Sequence, residues 1–127
     1  MGTRATVKFY AADVFLCCVY HHCDGYIKDD GVDGVGNKLK KFLKSKLIFN
    51  NSITKKQEPK FKAPGCLVAQ YIAENKKGIG DLYIAGEDNL QDFNYRVHIN
   101  SKLTNNFDYT YQIKVSCDRS SEYEELI

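Results

Sequence analysis

Polar residues recur at every second position in three segments of this chain, with arginine, lysine and histidine among them, a spacing that places them together on one face of a strand. Arg4, Thr6, Lys8 and Tyr10 alternate with Ala5, Val7 and Phe9. Asn94, Arg96, His98 and Asn100 alternate with Phe93, Tyr95, Val97 and Ile99. Thr110, Gln112, Lys114 and Ser116 alternate with Tyr109, Tyr111, Ile113, Val115 and Cys117. Period-two alternation marks half-buried strands, because successive side chains point to opposite faces. If the three strands share a sheet, one face is the core and the other carries cations without a carboxylate. Arginine grips phosphate through two parallel N–H bonds and lysine acts as a point charge, so such a face suits a phosphorylated ligand or a nucleic acid. Tyr10 and Tyr20 offer rings on which a base could stack, and Asn94, Asn100 and Gln112 can read polar edges.

A second cluster, Cys17-Cys18-Val19-Tyr20-His21-His22-Cys23-Asp24, invites a zinc reading. Strand geometry argues against it. Cys17, His21 and Cys23 would share one face and Cys18 and His22 the other, so neither set gives two ligand pairs at metal spacing. Cys17 and Cys18 read better as thiols packed like small hydrophobes. His21 and His22, or His98 from the cationic face, have the chemistry for acid–base cleavage of a phosphodiester. The glycines of Gly31-Val32-Asp33-Gly34-Val35-Gly36 are followed by no Gly-Lys-Ser/Thr, which removes a Walker-type NTPase. They could instead expose N–H groups at a helix start to an anion, or merely turn the chain into that helix.

The 127 residues fit one α+β domain, and a formal charge of +2 is too small to name a partner. Polynucleotide binding, which rests on many phosphate contacts, is therefore the weaker reading of the cationic face. The five cysteines form an odd set, and the chain opens on a strand pattern without an apolar leader. Together these predict reduced thiols in a cytoplasm. No apolar run approaches the roughly 20 residues that span a bilayer, so no membrane partner is expected.

The remaining elements follow from periodicity. Residues 4–10 and 14–22 predict a hairpin through Ala11-Ala12-Asp13. After an aperiodic loop at 23–36, Val35, Leu39, Phe42, Leu43 and Leu47 form one helical stripe among lysines, capped by Asp33 or Gly34. Residues 49–63 read as a surface loop. Pro64 then opens a second helix, with Leu67, Val68, Tyr71 and Ile72 inward, Ala69 and Ala73 allowing close packing, and a stop at Gly78. A short strand at 81–85, a Gly86-Glu87-Asp88-Asn89 turn and two long strands complete a ββααβββ order. This predicts a largely antiparallel five-stranded sheet with two helices on one face. The two long strands should turn at Thr104-Asn105-Asn106, and within the acidic tail at 119–127 Ser121-Glu122-Tyr123-Glu124 reads as a short helix or a frayed end.

Several phrases also carry a resemblance. Thr3-Arg4-Ala5-Thr6-Val7-Lys8-Phe9-Tyr10, Asp24-Gly25-Tyr26, Gly34-Val35-Gly36, Pro64-Gly65-Cys66-Leu67-Val68-Ala69-Gln70 and Gly78-Ile79-Gly80-Asp81-Leu82-Tyr83-Ile84 together resemble a family of small phage, prophage and archaeal proteins. The resemblance spans residues 3–85 and carries no catalytic assignment. Size and element order are also similar to those of phage proteins that sequester the cyclic ADP-ribose signals of the Thoeris defence system. That resemblance implies an oligomer that binds an intact nucleotide, and it transfers no ligand contact to any position here.

The expected function is the sequestering of a small phosphorylated, cyclic nucleotide by a homo-oligomer without a cofactor, in phage evasion of host defence. Arg4, Lys8, Arg96 and Lys114 would neutralise phosphates, Tyr10, Tyr20 or Tyr26 would stack on the base, and His22, His98 and Asn94 would hydrogen-bond. The alternatives are a metal-independent phosphodiesterase using histidines and a module that blocks a host protein.

Overall fold

The computed structural model describes residues 3–49, 57–103, 109–119 and 122–125. The hairpin predicted at the start is β1 (Ala5–Ala11) and β2 (Val14–His21). Ala12 and Asp13 join them with φ of 47° and 66°. Left-handed residues at both central positions give the turn the twist that matches the flanking strands. The stretch at 23–36, expected as loop, contains a second, minimal hairpin of β3 (Lys28–Asp29) and β4 (Val32–Asp33). It turns through Asp30-Gly31, both at positive φ, a dipeptide suited to this geometry.

Helix α1 (Val35–Lys46) runs directly into β5 (Leu47–Phe49), which pairs with β6 (Gln57–Pro59). The predicted surface loop at 49–63 is therefore in part a two-stranded ribbon, and its centre lies outside the described residues. Helix α2 (Pro64–Asn75) opens on Pro64, which lacks the N–H that a first helical turn leaves unpaired. Leu67, Val68 and Tyr71 are buried and Ile72 is half-buried, whereas Ala69 and Ala73 face solvent rather than a close packing partner. At about 100° per residue those two alanines fall on the side of α2 away from the sheet.

The chain ends with β7 (Leu82–Ala85), β8 (Phe93–Leu103), β9 (Tyr109–Arg119) and β10 (Glu122–Glu125). The predicted turn at Thr104-Asn105-Asn106 lies outside the described residues. Within the tail, residues 122–125 form strand β10 rather than a helix or a frayed end. Its pairing satisfies the outer backbone groups of β9, which a helix laid there would leave open.

The main sheet has the order β10-β9-β8-β1-β2-β7 among the described residues. It is antiparallel throughout except for the parallel pair β1–β8. The five expected strands and two helices are thus present, and β10 adds a sixth strand at one edge. Both helices pack on the face that carries Val7, Phe9, Val19, Tyr95, Val97, Ile99, Ile113 and Val115, to which they add Leu39, Phe42, Leu43, Leu67 and Tyr71. Tyr71 is central, its ring 5.4 Å from that of Phe9 and 5.3 Å from that of Phe42. The opposite face of the sheet is the polar one.

Candidate functional site

The polar face is built by register. Lys8 on β1 lies beside Arg96 on β8, which lies beside Ser116 on β9, so the three alternating segments do share one face. On the other side Lys8 is opposite Cys18 of β2, which is opposite Ala85 of β7. One step towards one end of the sheet the row is Tyr83, Tyr20, Thr6, Asn94 and Asp118. One step towards the other end, Tyr10, His98 and Lys114 stand side by side.

The structure corrects the expectation of a face without carboxylates in two ways. The β9 strand continues past Cys117, so Asp118 reaches the same face and its Oδ2 accepts a hydrogen bond from Arg96 Nη1. That carboxylate holds the Arg96 guanidinium above its ordinary range. The second change is the crossover from β7 to β8. Because β7 lies outside β2 and β8 lies beside β1, residues 86–92 must pass over the polar face of both strands. They carry Glu87 and Asp88 across it.

The crossover is anchored through Asn94. Its Oδ1 accepts hydrogen bonds from Thr6 Oγ1 at 2.7 Å and Gln91 N at 2.9 Å, while its Nδ2 donates to Gln91 O at 2.9 Å. Asn94 therefore fixes the roof of the site. Beneath that roof Lys8 is only 2% exposed. Its ammonium feels the fields of Cys18, Arg96, Glu87 and Asp88. Burial, reinforced by Arg96 and only partly offset by Cys18, Glu87 and Asp88, holds its pKa below the ordinary lysine range. Tyr10 is held above the usual phenol range by burial and by Glu87 beside it.

The other predicted residues are spread along the face or lie off it. Tyr10 stacks on His98 with centroids 4.9 Å apart, and His98 Nδ1 is 3.9 Å from Asp13 Oδ1. Lys114, next to His98, is exposed. At the opposite end Arg4 is exposed, and its backbone N–H reaches Asp92 Oδ2 at 3.3 Å. Tyr20 is 6% exposed and stacks on Tyr83 with centroids 4.6 Å apart, so the outward ring of that pair is Tyr83, half exposed. His22 shares a 3.0 Å hydrogen bond with the Tyr20 hydroxyl. Tyr26 is separate: its carbonyl accepts from Gly36 N, and its hydroxyl donates to Asp24 Oδ1 at 3.1 Å, on the helix side of the sheet.

The histidines do not converge. His21 points into the core, hydrogen-bonded at 2.8 Å to the Tyr71 hydroxyl, and burial drives its pKa down to about 4. His22 is two residues past Tyr20, which opposes Thr6, whereas His98 lies beside Tyr10. Six residues of strand put His22 and His98 about 20 Å apart, too far for one acid–base pair.

The anion cradle envisaged at the start of α1 is closed by the protein itself. Gly34 N and Asn37 N donate to Ile27 O, Val35 N to Asp24 O and Gly36 N to Tyr26 O. Burial pushes the Cys18 thiol up to about 11, as expected of a packed side chain. Among the described residues, no group of three or more His, Cys, Asp or Glu side chains could hold a metal ion. No helix there is long and apolar enough to cross a membrane.

Sequence reasoning missed Asp118, Tyr83 and the pair Glu87–Asp88. Asp118 and Tyr83 were accessible by counting parity one residue beyond Cys117 and along 82–84. Glu87 and Asp88 were not, because only strand order routes them over the face. The chain matches no protein-family profile, no curated protein and no solved structure.

Proposed function

We propose that the polar face binds a small phosphorylated nucleotide and holds it intact. The observation that carries this reading is the Lys8 side chain, enclosed on the polar face and next to Arg96. Enclosing a lysine beside an arginine is costly, and a phosphate between them would add acceptors for both. Arg96 offers the planar donor set, and Lys114 adds charge at the far end. The half-exposed Tyr83 ring, backed by Tyr20, gives a surface on which a base can stack. The separation of the histidines favours retention over cleavage. The resemblance to phage proteins that sequester cyclic ADP-ribose signals points the same way, towards a sponge acting against host defence.

The test is a depletion and release assay with cyclic and linear nucleotides, cyclic ADP-ribose isomers included. The protein should remove a nucleotide from the filtrate and return it unchanged on heating. Lys8→Met should weaken that binding by about 10- to 100-fold, the cost of losing charge-assisted hydrogen bonds. It should also stabilise the empty protein by about 1 kcal/mol, since it removes a charge whose burial Glu87 and Asp88 only partly offset. Arg96→Ala should stay folded and bind more weakly. A folded Lys8→Met protein with unchanged affinity, or a wild type that depletes no nucleotide, would remove this reading.

A further inference from the structure

Residues 86–90 lie over the polar face without the bonds that hold the rest of the crossover. Towards its end the crossover is pinned to the sheet. Gln91 N donates to Asn94 Oδ1 and Gln91 O accepts from Asn94 Nδ2, both at 2.9 Å, and Asp92 Oδ2 accepts from Arg4 N at 3.3 Å. Before Gln91 such ties are missing. Among the described residues, the backbone of 86–90 makes its hydrogen bond within itself, from Asn89 N to Gly86 O at 3.1 Å. Gln91 Nε2 closes the same turn on Asn89 Oδ1 at 2.8 Å. Apolar packing does not hold it either, since Leu90 is 66% exposed and Gly86, Glu87 and Asp88 are exposed. Charge is what reaches down. Glu87 lies beside the Tyr10 hydroxyl, and Glu87 and Asp88 both act on the Lys8 ammonium. Tyr10 in turn lies beside Arg96.

A carboxylate and a phosphate make the same demand on lysine, tyrosine or arginine, since each presents anionic oxygens that accept charge-assisted hydrogen bonds. We propose that residues 86–90 are a displaceable cover, that Glu87 and Asp88 hold the place of a ligand's phosphates, and that the ligand this selects carries a pyrophosphate. Ala85 in β7 and Gln91 on Asn94 fix the two ends, so the turn between them can lift without disturbing either strand. Exposed ion contacts are weak, so a cover held by them gives way to a ligand anion at small cost. Charge sets which anion. With the cover down, Lys8 and its neighbour Arg96 are met by Glu87, Asp88 and Asp118. Lifting it leaves, among the described residues, Asp118 as their carboxylate. A ligand that displaces two carboxylates restores the balance only by bringing two charges. A lone phosphodiester brings one. A pyrophosphate brings at least two on adjoining groups, matched to Lys8 and Arg96 side by side on β1 and β8.

This rests on the phosphate reading of the face, and the experiment separates the two. The probes are inorganic pyrophosphate and dimethyl phosphate, a singly charged diester, titrated calorimetrically into the full chain. Wild type should bind pyrophosphate and prefer it clearly to dimethyl phosphate. Glu87→Gln/Asp88→Asn, at exposed positions, should keep its circular dichroism spectrum and bind pyrophosphate about 10-fold more tightly, the effect of removing two weak competing contacts. Adding Lys8→Met should abolish that gain. In the wild type, the 15N relaxation order parameters of Glu87, Asp88 and Asn89 should fall when pyrophosphate is added, as the cover loses its hold. A carboxylate that merely repelled the probe from a fixed position would leave them unchanged. Equal pyrophosphate affinity in wild type and double variant, or order that stays or rises on binding, would overturn the cover while leaving the phosphate site standing. Dimethyl phosphate bound as tightly as pyrophosphate would overturn the ligand class. Pyrophosphate bound by neither protein would also overturn this inference, and the nucleotide reading would then stand or fall on the depletion assay.

Discussion

Gly34→Ala is expected to destabilise the protein by about 3 kcal/mol or more, lowering Tm by about 10 °C. A Cβ at residue 34 would lie 1.9 Å from the carbonyl oxygen of Tyr26 and 2.8 Å from its carbonyl carbon. Backbone cannot swing aside as a side-chain tip can. The segment at 24–27 is held against α1 by the N–H groups of Gly34, Val35, Gly36 and Asn37. Tyr95 adds a hydrogen bond from its hydroxyl to Gly25 O at 2.7 Å. Making room for a methyl group means lifting this strap and losing several of those bonds together. Gly65→Ala is the control. Nothing lies within 4 Å of a Cβ there, and within α2 alanine is favoured over glycine by about 1 kcal/mol. Thermal unfolding of the two variants should shift in opposite directions, and a Gly34→Ala protein melting with the wild type would refute the tight approach.

Acidification from pH 7 to pH 4 should cost about 3 kcal/mol through His21 alone. Its imidazole is 8% exposed, packed against Tyr71, and burial holds its pKa at about 4 against an ordinary 6.5. Asp81 pulls that pKa up and Lys38 pulls it down, both less strongly than burial. Between pH 6.5 and 4 the unfolded chain binds a proton that the folded chain refuses, so stability rises with pH across this window. It is fully present above about 6.5, falls as the pH drops, and levels off below about 4, where both states are protonated. His21→Gln should flatten this slope in urea titrations run from pH 7 to 4, with some loss of stability at pH 7 from the altered contact with Tyr71. An unchanged slope in a folded His21→Gln protein would place the acid sensitivity elsewhere, the paired carboxylates Asp33 and Asp81 being the next groups to test.

Tertiary placement separates the three histidines into different roles. His21 and His22 are adjacent in sequence, yet strand alternation sends one into the core and leaves the other at the surface beside Tyr20. The sequence contains the imidazoles that a phosphodiesterase would need. The fold puts His98 at the opposite end of the sheet, among Tyr10, Asp13 and Lys114. What converges on the middle of the face is Lys8, Arg96 and the carboxylates above and beside them.

By itself the sequence determined five strands of the main sheet, both helices and the two-sided character of the sheet. Alternation in 4–10, 93–100 and 109–117 dictates which side chains share a face, because a strand leaves no other choice. The 3.6-residue spacing of Leu39, Phe42 and Leu43, and Pro64 ahead of Leu67 and Tyr71, likewise set both helices locally. The small hairpin through Asp30-Gly31 was also within reach, since that dipeptide favours positive φ, but no hydrophobic alternation flanks it to draw attention.

Only the tertiary structure decided what lies over the polar face. Insertion of β1 between β2 and β8 is a long-range choice that no local spacing encodes, and it makes residues 86–92 cross the face with Glu87 and Asp88. The same choice buries Lys8 and leaves β7 as an open edge, while the β8–β9 register pairs Arg96 with Asp118. The physical reason is that face is a property of one strand, whereas neighbours, roof and edge depend on strand order, which chain-distant packing settles.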